Sequence, residues 1–169
     1  MAPADADGVE VRLGGRIDRV DVAETEAGTF FWIIDYKTGH SANYSAASLR
    51  TFARLQLTLY ALAAERVLFA DRGARPLGLA YWLVTDSGPK VVLPTRSPHA
   101  WFKSADEWAK VRSLLERLVA DLVRHIRAGD FPLEPRSETC TETCPYAQVC
   151  RITQGRGVSK GWELALPVL

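Results

Sequence analysis

Phe30-Phe31-Trp32-Ile33-Ile34-Asp35-Tyr36-Lys37-Thr38-Gly39 is the stretch on which the fold turns. Its first half is an unbroken run of aromatic and β-branched side chains, the pattern of a strand covered on both faces. The apolar character stops abruptly at Asp35. An acid at the end of a buried strand is costly unless it is paired or bound to a metal. Asp35 and Lys37 are two residues apart, so an extended chain points both side chains to one face. Just upstream, Glu24-Thr25-Glu26-Ala27-Gly28 reads as a hairpin turn. Before it, Val9, Val11 and Leu13 share one face, and Ile17, Val20 and Val22 follow a Gly14-Gly15 pair. That pattern predicts a strand over 9–22 with a bulge or bend at the glycines. If the two strands pair, Asp18 and Asp35 meet at one end of the sheet.

Working outward, Leu49, Phe52, Leu55, Leu59, Leu62 and Val67 recur at helical spacings between about Ser45 and Asp71, and Gly73 and Pro76 stop the run. Leu77 to Val84 and Lys90 to Leu93 read as strands joined by Asp86-Ser87-Gly88-Pro89. A second amphipathic helix is expected from about Ser104 to Ala128, with Trp108, Val111, Leu115, Leu118, Leu122 and Ile126 on its apolar side. From Gly129 onward the chain is irregular and carries Pro132, Pro135 and all of the cysteines. The order of elements predicts an α/β fold, a mixed β-sheet flanked by helices. Residues 1–135 would form the core, and residues 136–169 a cysteine-bearing tail.

Composition narrows the function classes. The 169 residues are 47% hydrophobic and 24% charged, which excludes a disordered, collagen-like or disulfide-scaffold chain. With 21 basic and 20 acidic residues, any nucleic-acid surface must be a local basic patch. The N-terminus shows no basic region followed by an apolar stretch, so no secretory signal is expected. The most apolar segment, Leu55 to Ala70, carries Glu65 and Arg66 and is too short and too charged to span a bilayer. Three cysteines, all between Cys140 and Cys150, do not suggest a disulfide framework, and a cytoplasmic location is expected. No Gly-rich loop ending in Lys-Ser/Thr is present, so ATP hydrolysis is not expected here.

Asp18, Asp35 and Lys37 form a constellation suited to phosphodiester hydrolysis. Two carboxylates hold hard, oxygen-seeking Mg²⁺ and leave positions open for water and a phosphate oxygen. The lysine orients the attacking water or neutralises charge in the transition state. Solvated cross-strand ion pairs are the alternative reading of the same residues.

Three segments resemble successive motifs of RecB/AddB-type nucleases of the PD-(D/E)xK superfamily. They are Gly15-Arg16-Ile17-Asp18-Arg19-Val20-Asp21, then Ile33-Ile34-Asp35-Tyr36-Lys37-Thr38-Gly39, then Gln56-Leu57-Thr58-Leu59-Tyr60. The resemblance implies a restriction-endonuclease-like core and an exonuclease dependent on Mg²⁺ or Mn²⁺. It places metal-binding aspartates on Asp18 and Asp35, the catalytic lysine on Lys37, and a helical Gln-x-x-x-Tyr element on Gln56 and Tyr60. Residues four apart on a helix share a face, so Gln56 and Tyr60 would position the strand together. Arg16 and Arg19, which flank Asp18, and Thr38 are candidate DNA contacts. The implied partners are DNA, single-stranded or at duplex ends, and a helicase subunit or domain in double-strand break repair. The alternative is a catalytically inactive module of the same fold that binds DNA or a helicase.

Cys140, Cys144 and Cys150 are close enough to ligate zinc or an iron–sulfur centre. Members of the family with such a cluster end in a comparable triplet, and their fourth cysteine lies far upstream. Here the gap between Cys140 and Cys144 is one residue longer than theirs, and no upstream cysteine exists. None of His40, His99 and His125 sits at convincing spacing to complete a zinc site. The family's N-terminal helix, with a histidine that assists the metal, also has no counterpart before Asp18. Both gaps suggest a C-terminal segment of a longer protein.

Overall fold

The strand read from the decisive stretch is β2 (Gly28–Lys37), and a sheet is built on both of its edges. In the computed structural model, residues 11–38, 54–85, 88–92, 104–131, 142 and 144–150 are described. β1 (Arg19–Thr25) pairs antiparallel with β2 through a tight turn at Glu26-Ala27, with Thr25 opposite Gly28. The Thr25 hydroxyl accepts from the Ala27 N–H at 3.2 Å and donates to the Gly28 carbonyl at 3.0 Å. β3 (Arg75–Thr85) lies parallel to β2, and β4 (Gly88–Val92) runs antiparallel to β3. The sheet is therefore four-stranded and mixed, in the order β1-β2-β3-β4.

The connection from β2 to the parallel β3 carries α1 (Gln56–Ala63), which continues as a π-helical turn over Ala64–Leu68. α1 packs on β2 and β3. Phe31, Ile33, Leu79, Tyr81 and Leu83 point to this covered face and are all buried. The buried positions of the helix are Leu57, Thr58, Ala61, Leu62 and Ala64. Of the leucine and valine positions read as periodic that lie among the described residues, only Leu62 is fully buried, while Val67 is 60% exposed. Alanines at 61 and 64 let the backbone approach the sheet, a signal that a count of large apolar residues does not register. In the widened turn the Phe69 N–H donates to the Ala64 carbonyl at 2.9 Å, one residue further back than an α-helix reaches.

α2 (Ala105–Ala128) begins with Ser104, whose Oγ accepts the Glu107 N–H at 3.2 Å, a helix-capping contact. Its side chains meet the π-turn. Trp108 Nε1 donates to Glu65 Oε1 at 2.9 Å, Arg112 donates to the same oxygen at 3.2 Å, and Arg66 pairs with Glu116. Trp108, Val111, Leu115 and Leu118 are buried as expected, whereas Ile126 is 56% exposed. Gly129, with φ of +70°, ends the helix in a conformation that glycine adopts without strain. A short α3 (Ala147–Cys150) follows.

The chain divides into two compact units, Met1–Asp121 with Leu166–Leu169, and Leu122–Ala165. The sheet and α1 belong to the first, and α3 belongs to the second. The first strand departs from expectation, because residues 11–17 are irregular and β1 starts only at Arg19. The expected start of the first helix, residues 45–53, lies outside the described residues.

Candidate active site

The hairpin ladder ends at the pair Arg19↔Ile34. Two residues further along, the edge of β2 still presents the Tyr36 N–H, and a side chain takes it: Asp18 Oδ2 accepts this N–H at 3.0 Å. A carboxylate thus replaces the missing backbone partner, which pins Asp18 beside the end of β2. Gly15, four residues before Arg19, has another duty that explains the early end of the strand. A Cβ there would come 2.9 Å from Tyr60 Cε1, so glycine is what lets the Tyr60 ring lie against this segment.

Asp35, Lys37, Gln56 and Tyr60 are brought together in one network. Lys37 Nζ lies 2.5 Å from Asp35 Oδ2. Lys37 also donates to Gln56 Oε1 at 2.9 Å. Gln56 Nε2 in turn donates to Asp35 Oδ1 at 2.9 Å and to the Tyr60 hydroxyl at 3.2 Å. The ring of contacts closes, with the glutamine amide orientation fixed by a cation on one side and an anion on the other. The Tyr81 ring from β3 lies under the ammonium, its centroid 5.8 Å from Nζ. No sequence signal marked Tyr81, and Gly15 was legible as a backbone irregularity and as the first residue of the first motif.

Asp35 is only 2% exposed. Burial pushes its carboxyl above the ordinary carboxylate range; the Lys37 hydrogen bond and charge pull it down, and the nearby Asp18 carboxylate pushes it up again. Asp35 Oδ2 has no access to solvent, and the Lys37 ammonium at 2.5 Å is its counter-charge. A buried carboxylate beside a second carboxylate suits a divalent cation. Among the described residues no group of three or more His, Cys, Asp or Glu gathers at one point. Two carboxylates still suffice for Mg²⁺, which commonly keeps several waters and takes one or two protein carboxylates.

Arg16 and Thr38 are exposed, and Arg19 is exposed but engaged with Asp21 and Tyr36. Cys144 is a half-buried free thiol, whereas Cys140 and the Cys150 side chain lie outside the described residues. No helix among the described residues is long and apolar enough to cross a membrane.

Beside the network lies a groove of about 600 Å³ lined by Leu13, Gly15, Ile17, Leu59, Tyr60 and Val67 among others. Leu59 and Val67 are thus wall residues of a groove that opens on the Gln56–Tyr60 end of the site. Substituting Gly15→Ala is expected to displace the Tyr60 ring and to lower turnover roughly 10- to 100-fold, the cost of a misplacement of about 1 Å. Adding Tyr60→Ala to that variant should cost little more, since both changes remove the same contact. Single-turnover rates of the two single variants and the double variant check this, and independent, additive losses would refute the coupling.

A family model described as the PD-(D/E)XK nuclease superfamily matches residues 2–151, and the chain belongs to that superfamily. The expected α/β, restriction-endonuclease-like fold is the fold of this class. Several relatives bear the name of one and the same component of an ATP-dependent helicase/deoxyribonuclease. To the Clostridium tetani protein of that name the chain is 40% identical over 81 residues, covering 47% of this chain and 7% of that protein. To its Clostridium perfringens namesake it is 31% identical over 125 residues, 73% of this chain and 10% of that one. Against the Ruminiclostridium cellulolyticum namesake it is 21% identical over 197 residues, covering 87% of this chain and 17% of the relative. The chain thus spans less than a fifth of the length of these relatives.

Proposed function

We propose that this chain is the nuclease domain of a DNA-processing machine coupled to a helicase, a metal-dependent deoxyribonuclease acting on strands as they are unwound. The observation that carries the reading is the closed network of Asp35, Lys37 and Gln56, with the Asp35 carboxylate buried beside Asp18. Asp18 and Asp35 would hold Mg²⁺ or Mn²⁺, which supplies Lewis acidity toward phosphoryl oxygens and makes water more acidic. Lys37, its ammonium held by Gln56 and Asp35, offers positive charge where the phosphoryl group gains negative charge. Gln56 fixes the relative positions of Asp35 and Lys37, and Tyr60 holds the Gln56 amide from behind. The names of the relatives support DNA as the substrate and a helicase as the partner. The cysteine tail, with Cys140, Cys144 and Cys150, belongs to the same proposal as a thiolate set for zinc or an iron–sulfur centre. It is one ligand short within this chain.

The test is digestion of linear single- and double-stranded DNA in Mg²⁺, Mn²⁺ or EDTA, beside Asp35→Ala. Cleavage that requires the cation and disappears in the variant is the expected result. DNA binding without cleavage in any cation would instead identify an inert module of the nuclease fold.

A further inference from the structure

The catalytic side chains occupy one face of β2, and a separate cluster occupies the other face at the same strand end. Tyr36 lies between Asp35 and Lys37 in sequence, so its ring leaves the sheet on the side away from α1. It is 42% exposed. Its cross-strand neighbour is Trp82 of β3, and the two rings meet edge to face with centroids 6.2 Å apart. From the other side of β2, the Arg19 guanidinium lies 5.7 Å from the centre of the Trp82 ring and donates to the Tyr36 hydroxyl at 3.3 Å. Asp21, on the same face of β1, grips that guanidinium through two hydrogen bonds of 2.7 and 2.8 Å. Val84 continues the surface and is 51% exposed.

Three strands therefore contribute to one rigid shelf of aromatic and guanidinium planes. Tyr36 is open to solvent and is braced by Trp82 and Arg19. Its place relative to the site is also fixed. The backbone N–H of the same residue holds Asp18, and its chain neighbours are Asp35 and Lys37. A DNA strand lying across the end of β2 would set a phosphate on the carboxylate face and the adjoining base on the opposite face. Aromatic shelves take any base, because every base has a π-face, but only when the base is unpaired and free to turn out of its stack.

We propose that Tyr36, backed by Trp82 and Arg19, stacks an unpaired nucleobase next to the phosphodiester to be cut. This rests on the nuclease reading above and adds a residue that positions the strand.

The test is binding in EDTA, where no cleavage confuses the reading. The fluorescence anisotropy of three labelled probes is followed: a single-stranded oligonucleotide, an abasic oligonucleotide of the same length, and a blunt duplex. Tyr36→Ala, shown to be folded by its unfolding transition, should weaken the natural single strand roughly ten-fold or more and leave the abasic strand unchanged. Tyr36→Phe should keep most of the affinity, since the ring and not the hydroxyl does the stacking. Equal weakening on natural and abasic strands, or no weakening on either, would overturn the proposal, and the second result would point to a protein contact at this shelf. Cleavage by the unaltered chain in Mg²⁺ is measured alongside. Base-dependent binding through Tyr36 without cleavage would uphold the shelf while sinking the nuclease reading.

Discussion

Lys37→Ala is expected to slow DNA cleavage by about 10²- to 10³-fold while divalent-cation binding persists, the usual size of the loss when one donor that meets transition-state charge is removed. The Lys37 side chain is 21% exposed and Asp35 is its nearest counter-charge, at 2.5 Å. A positive charge held in a partly desolvated site acts more strongly than one in water, and Gln56 keeps it from swinging away. Truncation also removes the group that lowers the Asp35 pKa, leaving burial and Asp18 to raise it further. Lys37→Arg should rescue little, because a planar fork does not fit where an ammonium sits between a carboxylate, an amide oxygen and a tyrosine ring. Single-turnover rates, with calorimetric titration of Mn²⁺ alongside, would check the pair of expectations. A loss of only a few-fold with metal binding intact would remove Lys37 from the chemistry.

Phe31→Ala carries the largest expected stability loss, about 3–5 kcal/mol. Phe31 is fully buried, stacks on Phe69 with ring centroids 5.0 Å apart, and stands on the central strand of the sheet. Phe69 closes the π-turn, so the cavity would open where α1 is anchored to the sheet. For a chain of this size the transition should fall by roughly 10 °C. Val22→Ala is the control, since Val22 is 44% exposed on the edge strand and should change stability by no more than about 0.5 kcal/mol. Denaturant unfolding of both variants measures the difference. A Phe31→Ala loss below about 1 kcal/mol would mean that the stacked pair is not part of the cooperative core.

Much of the frame was legible because it rests on local signals. An uninterrupted run at Phe30–Ile34 can be covered on both faces only as an inner strand, and β2 is one. The turn after Thr25, the strand ending at Thr85 and the helix beginning after Ser104 announce themselves through turn and capping residues. Residues 11–17 misled because alternation implies a strand only where a partner exists. There the ladder has already ended, and Gly15 serves Tyr60 instead. The carboxylates and lysine followed from chemistry, whereas Gln56 and Tyr60 followed only from the family pattern. A neutral amide gives no hint in sequence that it will bridge Asp35 and Lys37, two residues that its own helix does not contain. The shelf at Tyr36 was equally invisible, because it depends on a parallel register that sets Trp82 beside it.

The parallel pairing of β2 with β3 has a consequence for biosynthesis. Asp18, Asp35, Lys37, Gln56 and Tyr60 all leave the ribosome before β3, which supplies the Tyr81 floor beneath Lys37 and the second edge of β2. The β1–β2 hairpin can form as soon as it emerges, but a parallel partner must wait for the whole crossover. Until then Asp35 stays hydrated and the lysine lacks its fixed setting. A half-made chain therefore carries every reactive group in the wrong surroundings, and the activity proposed for the domain arrives only when the sheet is closed.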